Sequence, residues 1–398
     1  MSGRPAHSAR LRRKLFEAWG PSEDRVFVAR APGRVNLIGE HTDYNQGLVL
    51  PAAIGLEVSI AFRPRMDHRV ELHSIALDET RAFDLGDVER LRPAGRVHST
   101  WLDYVAGMAW ALSETGIRLR GLQGVIDSTV PIGGGLASSA ALELASAWAL
   151  LAPGQRPQAS PRRLASLAHR AEEEFVGVRS GMMDQLAASC GQAGHALLID
   201  CRSMEIEPIP LPQGVAVVVC DSGLPRRLSD SAYNERRAQC EEGVRLLRER
   251  LPWVESLRDI QLETFEHLKA GLPRVIAQRC EHVLRENERV RAVASSLRSG
   301  RLKEIEPLFA ESHASLRDRY EVSTPELDAL VQIAAGTEGI IGARLTGAGF
   351  GGCTVNLVES ESADSFRDSV ARRYTERTGR AAAIHVVETV QGAGLAEA

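Results

Sequence analysis

No stretch of the 398-residue chain approaches the roughly 20 consecutive apolar residues that a membrane-spanning helix requires. Nor is there an excess of positive charge. The 48 Lys and Arg against 52 Asp and Glu leave a formal net charge of −4, without the basic footprint of a nucleic-acid binder. The six cysteines (Cys190, Cys201, Cys220, Cys240, Cys280, Cys353) are scattered, with no Cys-x-x-Cys pair and no histidine at ligand spacing. A disulfide scaffold and a zinc site are thereby disfavoured, and the thiols read as those of a reducing compartment. Arg4, Arg10, Arg12, Arg13 and Lys14 are not followed by an apolar run, so the start of the chain is not expected to be a secretory signal. Leu11, Leu15, Phe16 and Trp19 instead fall at helical spacing and predict a surface helix. A cytoplasmic protein is expected, with neither membrane nor nucleic acid as partner.

At 398 residues the chain exceeds one ordinary hydrophobic core, so two domains are expected. Alternation of apolar and polar residues predicts strands over 25–31, 56–62, 70–75 and 123–130, with Pro32-Gly33 breaking the first. The 70–75 strand is expected to partner 56–62. Helical spacing appears in 101–112 and 164–175, and composition predicts a helix over 136–152. Pro208, Pro210 and Pro212 alternate in a stiff, extended stretch that reads as a seam between domains near residue 210. Beyond it helices are expected over 229–250, 274–298, 302–317 and 324–335, before a strand, glycine turn, strand, helix and strand close the chain. No internal repeat or low-complexity tract is evident. Strands and helices occur in runs rather than in regular βαβ alternation, which predicts an α+β fold of two domains, 1–210 and 211–398, with the last strand able to return to the first.

One stretch organises the rest. In 130–141, Val-Pro-Ile-Gly-Gly-Gly-Leu-Ala-Ser-Ser-Ala-Ala, three glycines stand between a strand-like run and a helix. Glycine brings backbone N–H groups close to a ligand, and the helix start directs unpaired N–H groups and a positive dipole end to the same place. The result is an anion site, or a plain glycine turn. No lysine follows the glycines, so a Walker A loop is excluded. A second cluster, 347–352, matches Gly-x-Gly-x-x-Gly by letter, yet a β-branched run rather than a helix follows it, which defeats a dinucleotide reading. Two polar segments complete the set: Arg34 through Gly47, with Glu40, His41 and Asp43, and 181–185 with Asp184. The first is a solvated loop or a site for a hydroxyl-rich ligand, whose hydroxyls carboxylates and imidazole can engage. Asp184 by itself reads first as a helix N-cap.

The segment 131–140, Pro-Ile-Gly-Gly-Gly-Leu-Ala-Ser-Ser-Ala, resembles the phosphate loop of the GHMP kinases, and Arg30 through Gly47 closely resembles the galactokinase signature. Segments 181–185, 196–203, 311–318 and 344–353 match in order and spacing, so the resemblance runs from about Val26 to the C-terminus. It implies a two-domain GHMP kinase fold with the active site in the interdomain cleft, and ATP-dependent phosphorylation of the anomeric hydroxyl of galactose. Asp184 would take the hydroxyl proton, with Arg34 as its basic partner. Glu40, His41, Thr42, Asp43, Gly181 and Tyr233 would contact the sugar. Gly133, Gly134, Gly135, Leu136, Ala137, Ser138 and Ser139 would hold ATP, and Ser139 with Glu172 would hold Mg2+. Three departures stand out: Ala137 where the loop usually has serine, Ser180 and Met182 around Gly181 where cysteine and isoleucine are common, and Ala348 where a glycine is usual. A kinase for N-acetylgalactosamine, arabinose or galacturonate, or a catalytically silent sugar and ATP sensor, would share the same motifs.

Overall fold

The computed structural model describes residues 3–91, 100–131, 133–151, 160–178, 180–224 and 229–396. Helix α1 (Gly3–Trp19) is followed by β1 (Phe27–Asn36), β2 (Leu48–Val49), β3 (Pro51–Pro64), β4 (Arg69–Ser74) and β5 (Glu79–Asp84). Next come α2 (Trp101–Ser113), β6 (Leu122–Ser128), α3 (Ser138–Leu151), α4 (Pro161–Arg170) and α5 (Met183–Cys190). Strands β7 (His195–Asp200), β8 (Ile206–Pro210) and β9 (Val215–Asp221) lead into a helical stretch. It holds α6 (Ser229–Arg248), α7 (Leu262–Leu268), α8 (Arg274–Ser299), α9 (Ile305–Asp318) and α10 (Pro325–Ala335). The chain ends with β10 (Ile340–Thr346), β11 (Cys353–Glu359), α11 (Ala363–Thr378), β12 (Ala383–Val387) and β13 (Gly394–Leu395).

The strands form three sheets, and helices cover them, as expected of an α+β protein. The largest has the order β13-β1-β3-β6-β4-β5. Its period-2 alternation sends Val28, Ala61 and Val125 to one face, where α1 lays Leu11 and Leu15, and Ala29 and Ile60 to the other, where α3 and α2 pack. The 70–75 strand forms, but it runs parallel to β6 and antiparallel to β5 rather than pairing with β3. Pro32-Gly33 does not end the first strand. The ladder with β3 shifts register between Pro32 and Arg34, so β1 continues through a bulge. A Cβ at Gly33 would stand 2.6 Å from the Leu136 carbonyl oxygen, which is why the close approach of the 133–137 loop needs glycine there.

The prolines near 210 are also explained differently. Strand β8 pairs with β7, with Leu197 opposite Pro208 and His195 opposite Pro210, on the edge of the sheet β2-β7-β8. An edge strand can carry proline because one row of its N–H groups has no ladder partner. The third sheet, β10-β11-β9-β12, is antiparallel throughout and is backed by α10 and α11 through Leu330, Ile333, Phe366 and Tyr374. The reading of 340–358 as strand, glycine turn, strand holds, with Thr346 opposite Cys353 across the turn.

From β12 the chain returns to the first sheet. Thr389 bridges Ile54, the Val390 N–H donates to Ala53, and those of Gly392 and Ala393 donate to Gly191 and Ala188 of the α5 end. Strand β13 then pairs with β1 at Ala29 and Arg30. A Cβ at Gly392 would lie 2.1 Å from the Ser189 carbonyl oxygen, so only glycine passes here. Ending the chain after Glu388 strips these hydrogen bonds and the burial of Val390. It should lower stability by about 3–5 kcal/mol, read as a shift in urea midpoint.

Candidate active site

The 133–137 loop alternates backbone handedness. Gly133 (φ 75°), Gly135 (φ 76°) and Ala137 (φ 61°) are left-handed, whereas Gly134 and Leu136 are not. Such alternation aims successive N–H groups into one anion-binding concavity, and α3 begins directly after it at Ser138. Ala137 thus holds a conformation that L side chains disfavour. The Ala348 departure is milder. In 347–352 every residue but Ala348 has positive φ, so the methyl sits at the turn's one ordinary position.

Arg34 leaves β1 just after the bulge and is 5% exposed. Its Nη1 donates to the Gly135 carbonyl (2.6 Å) and its backbone N–H to Leu136 (3.0 Å). Its Nη2 lies 2.6 Å from Asp184 Oδ1. One guanidinium therefore ties the aspartate to the glycine loop. Asp184 is not an N-cap: Met182 holds that position, and Asp184 lies within the first turn of α5 with its carboxylate on Arg34.

The 39–47 segment is held from several sides. His41 takes φ 64° and has both ring nitrogens engaged, Nε2 with the Ala348 carbonyl (3.1 Å) and Nδ1 with the Tyr44 hydroxyl (2.9 Å). A carbonyl only accepts, so Nε2 carries the proton and Tyr44 donates to Nδ1. Burial pushes the His41 pKa down to about 3, helped by His282, so the ring is neutral. Thr42 is fully buried and its hydroxyl is spent inside the segment, on the Gly39 and Leu48 carbonyls. The Glu40 carboxylate, 2% exposed, accepts from the Gly347 N–H (3.0 Å) and pairs with Arg344.

Asp43 is half-buried, and its carboxyl is pushed up to about 6, by burial first and then by the negative charge of Asp184. A Cβ on Gly181 would stand 1.8 Å from Asp43 Oδ2, so Gly181 is where the 180s segment touches the 40s segment. Tyr233, on α6, closes the group with its ring 5.6 Å from His41 and 5.4 Å from Tyr44.

Glu172 lies on a π-helical turn, 171–176, that continues α4. Such turns are rare and redirect side chains, which no sequence periodicity announces. Its carboxylate accepts from Ser180 and from Gln185 Nε2 (2.8 Å), and the neighbouring Ser139 hydroxyl also favours its ionised form. Burial raises its pKa, as does the charge of Asp184. Ser180, one of the departures, thus has a partner here. Sequence reasoning missed Gln185 and Glu143, which meet at 3.3 Å below Glu172 and are fully buried. It also assigned Trp101 and Tyr104 only to a helical stripe. They line a cavity of about 340 Å³ with Val58, Leu77, Ile126 and Leu142, and Ser138 and Ser139 open into it.

Comparison with known proteins agrees with this arrangement. Residues 14–64 match the galactokinase galactose-binding signature, 103–192 the GHMP kinases N terminal domain, and 293–376 the GHMP kinases C terminal domain. The galactokinase of Roseiflexus sp. (strain RS-1) is 46% identical over 92% of each chain, and that of Chloroflexus aggregans 48% over 89% of each. The crystal structure of Lactococcus lactis galactokinase complexed with galactose superposes with a TM-score of 0.90 at 34% identity, covering 98% of this chain and 99% of that one. Methanococcus jannaschii mevalonate kinase, 18% identical with a TM-score of 0.65, shares the fold. Matches to all three segments, identity along nearly the whole length and the close superposition converge: the chain belongs to the galactokinase family of the GHMP kinases.

Proposed function

We propose that the protein transfers the γ-phosphoryl group of ATP to the anomeric hydroxyl of galactose, giving galactose 1-phosphate. The single observation that carries the site assignment is the Arg34 guanidinium, bonded at once to Asp184 and to the Gly135 carbonyl. That bridge sets the carboxylate beside the phosphate-binding loop. The sugar hydroxyl would donate to Asp184, which orients it in line with the terminal phosphorus and takes its proton as the phosphorus–oxygen bond forms. The loop N–H groups and the head of α3 would hold the phosphates, and Arg34 would face the charge that develops on transfer. Catalysis of this kind is chiefly positioning and charge neutralisation.

Glu40, Asp43, the Gly181 backbone and Tyr233 would receive the sugar, with His41 holding the 348 carbonyl. The nucleobase would enter the cavity lined by Trp101 and Tyr104, whose flat rings suit a purine face. Magnesium fits beside Ser139 and Glu172. One hydroxyl and one buried carboxylate, completed by substrate phosphates and water, are a donor set this cation takes. When bound there, the cation would supply positive charge that offsets the charge on the phosphates. The division into 1–210 and 211–398, with the tail returning to the first sheet, and a cytoplasmic setting remain part of this proposal. The thiols, all free, suit that compartment.

A coupled ATPase-linked assay on galactose and its epimers, with D184N as control, tests the reading. Absence of galactose turnover would overturn it. The pH profile adds a second test. Sugar recognition needs Asp43 ionised, so kcat/KM for galactose should fall by about tenfold per pH unit below a break near 6, and D43N should remove that break. The stability sign is opposite. A folded pKa raised above its unfolded value favours the folded state at low pH, and that gain is lost as pH rises through about 6. D43N should therefore melt higher than the wild type at neutral pH while losing galactose affinity.

A further inference from the structure

The backbone at Gly39–Glu40 hangs from a helix far along the chain. His282 and Glu286 are four residues apart on α8 and so share one face. The His282 Nε2–H donates to the Glu40 carbonyl (3.1 Å), across 242 residues of sequence, while its Nδ1 meets the Ser315 hydroxyl (2.8 Å). Glu286 Oε1 accepts from the Gly39 N–H (3.1 Å) and from the Ser312 hydroxyl (2.7 Å). Its Oε2 takes Arg289 through Nε (2.8 Å) and Nη2 (2.6 Å).

Arg344 fills the space between the two carboxylates. Its Nη2 pairs with Glu40 and lies 3.6 Å from Glu286 Oε1, its Nη1 donates to the Leu37 carbonyl (3.0 Å), and its Nε donates to Ser312 (3.2 Å). Glu40, Glu286, Arg289 and Arg344 thus form a quartet of two negative and two positive side chains, none more than 7% exposed. Buried charges persist only when fully paired, and removing one leaves another uncompensated. Burial opposes the ionised form of Glu286, yet Arg289, His282 and Arg344 together hold its carboxyl at about 2. Burial pushes the Glu40 carboxyl up against the opposing pull of Arg344, so the quartet sets two carboxyl groups against two guanidinium groups.

Glu286 forms no bond with Arg34, Asp184 or the 133–139 loop among the described residues. Its contacts toward the 39–41 segment are the Gly39 N–H directly, and Glu40 by way of Arg344. Resting on the galactose reading above, we propose that Glu286 and Arg344 are positioning residues that fix the aim of the Glu40 carboxylate and the turn at Gly39–His41, and so set sugar affinity independently of nucleotide affinity. Gly39 shows how narrow that setting is. Its φ is 107°, and a Cβ there would meet the Leu48 carbonyl oxygen at 2.7 Å.

The test is E286Q in the full chain, which keeps shape and removes one charge. The KM for galactose should rise about tenfold or more, with the KM for ATP unchanged within about twofold. The E286Q/R289Q double variant restores charge balance and should bring the galactose KM back by at least about threefold. It also serves if E286Q alone fails to fold, because its own galactose-to-ATP KM ratio must then still exceed that of the wild type. A galactose KM within about twofold of the wild type in E286Q, an equal rise in both KM values, or a double variant no better than the single overturns the positioning role. Failure of the galactose reading shows instead in the wild-type protein, as absence of galactose turnover, and would take this inference with it.

Discussion

Replacing Asp184 with asparagine should cut turnover on galactose by about 10²–10⁴ while leaving the fold intact. The substitution keeps the size of the side chain and removes only its ability to accept a proton and to oppose the Arg34 charge. Arg34 would lose its counter-charge but keep hydrogen-bond partners, because the asparagine amide oxygen can still accept from Nη2 and the Nη1 bond to Gly135 is independent of residue 184. The loss should therefore appear in kcat, with the ATP KM little changed and a lower melting temperature that still leaves the protein folded at assay temperature. A folded D184N protein with near-normal turnover would remove Asp184 from the mechanism and, with it, the chemical meaning of the Arg34 bridge.

G181A should lower kcat/KM for galactose by about 10²-fold through sterics alone, since misplacement of a binding group by about 1 Å can cost that much. The new Cβ would overlap Asp43 Oδ2 at 1.8 Å and its Cγ at 2.4 Å. Asp43 begins a short helical turn closed by the Asn45 N–H donating to Thr42 and the Gln46 N–H donating to Asp43. Only rotation of its side chain can relieve the overlap, and that turns the carboxylate away from the sugar. Gly181 does not have positive φ, so the variant carries no left-handed backbone penalty and should remain folded. Binding of ATP, measured by calorimetry, should be unchanged. Near-normal galactose kinetics would mean that Asp43 has no part in sugar recognition.

These expectations differ in how far the chain itself announces them. The glycine loop is legible because its three glycines sit between a strand pattern and a helix pattern, a local arrangement that needs nothing from elsewhere. The polar 34–47 segment is likewise visible, because so many hydrogen-bonding residues rarely crowd an ordinary turn. What fails is anything that depends on a distant partner. Pro32-Gly33 suggests a break, and the bulge exists only because β3 continues the ladder past it and the Leu136 carbonyl needs the room. The prolines near 210 suggest a stiff extended seam, and that Pro208 and Pro210 lie in a strand is decided by β7 alongside. Asp184 suggests a cap, until Arg34 arrives from β1, remote in sequence. Trp101 and Tyr104 fit a core stripe and also face a cavity, and spacing alone cannot tell the two apart.

Residue order by itself determined the strongly periodic helices and strands, the α+β class, the glycine loop before α3 and the family, since each rests on short-range patterns or on motifs read in sequence. Tertiary structure alone decided which of the polar residues meet. The Arg34–Asp184 bridge, the approach of Gly181 to Asp43 and the quartet around Glu286 are all contacts between segments remote along the chain. Their energies depend on burial and charge pairing, quantities that arise only once the core has excluded water.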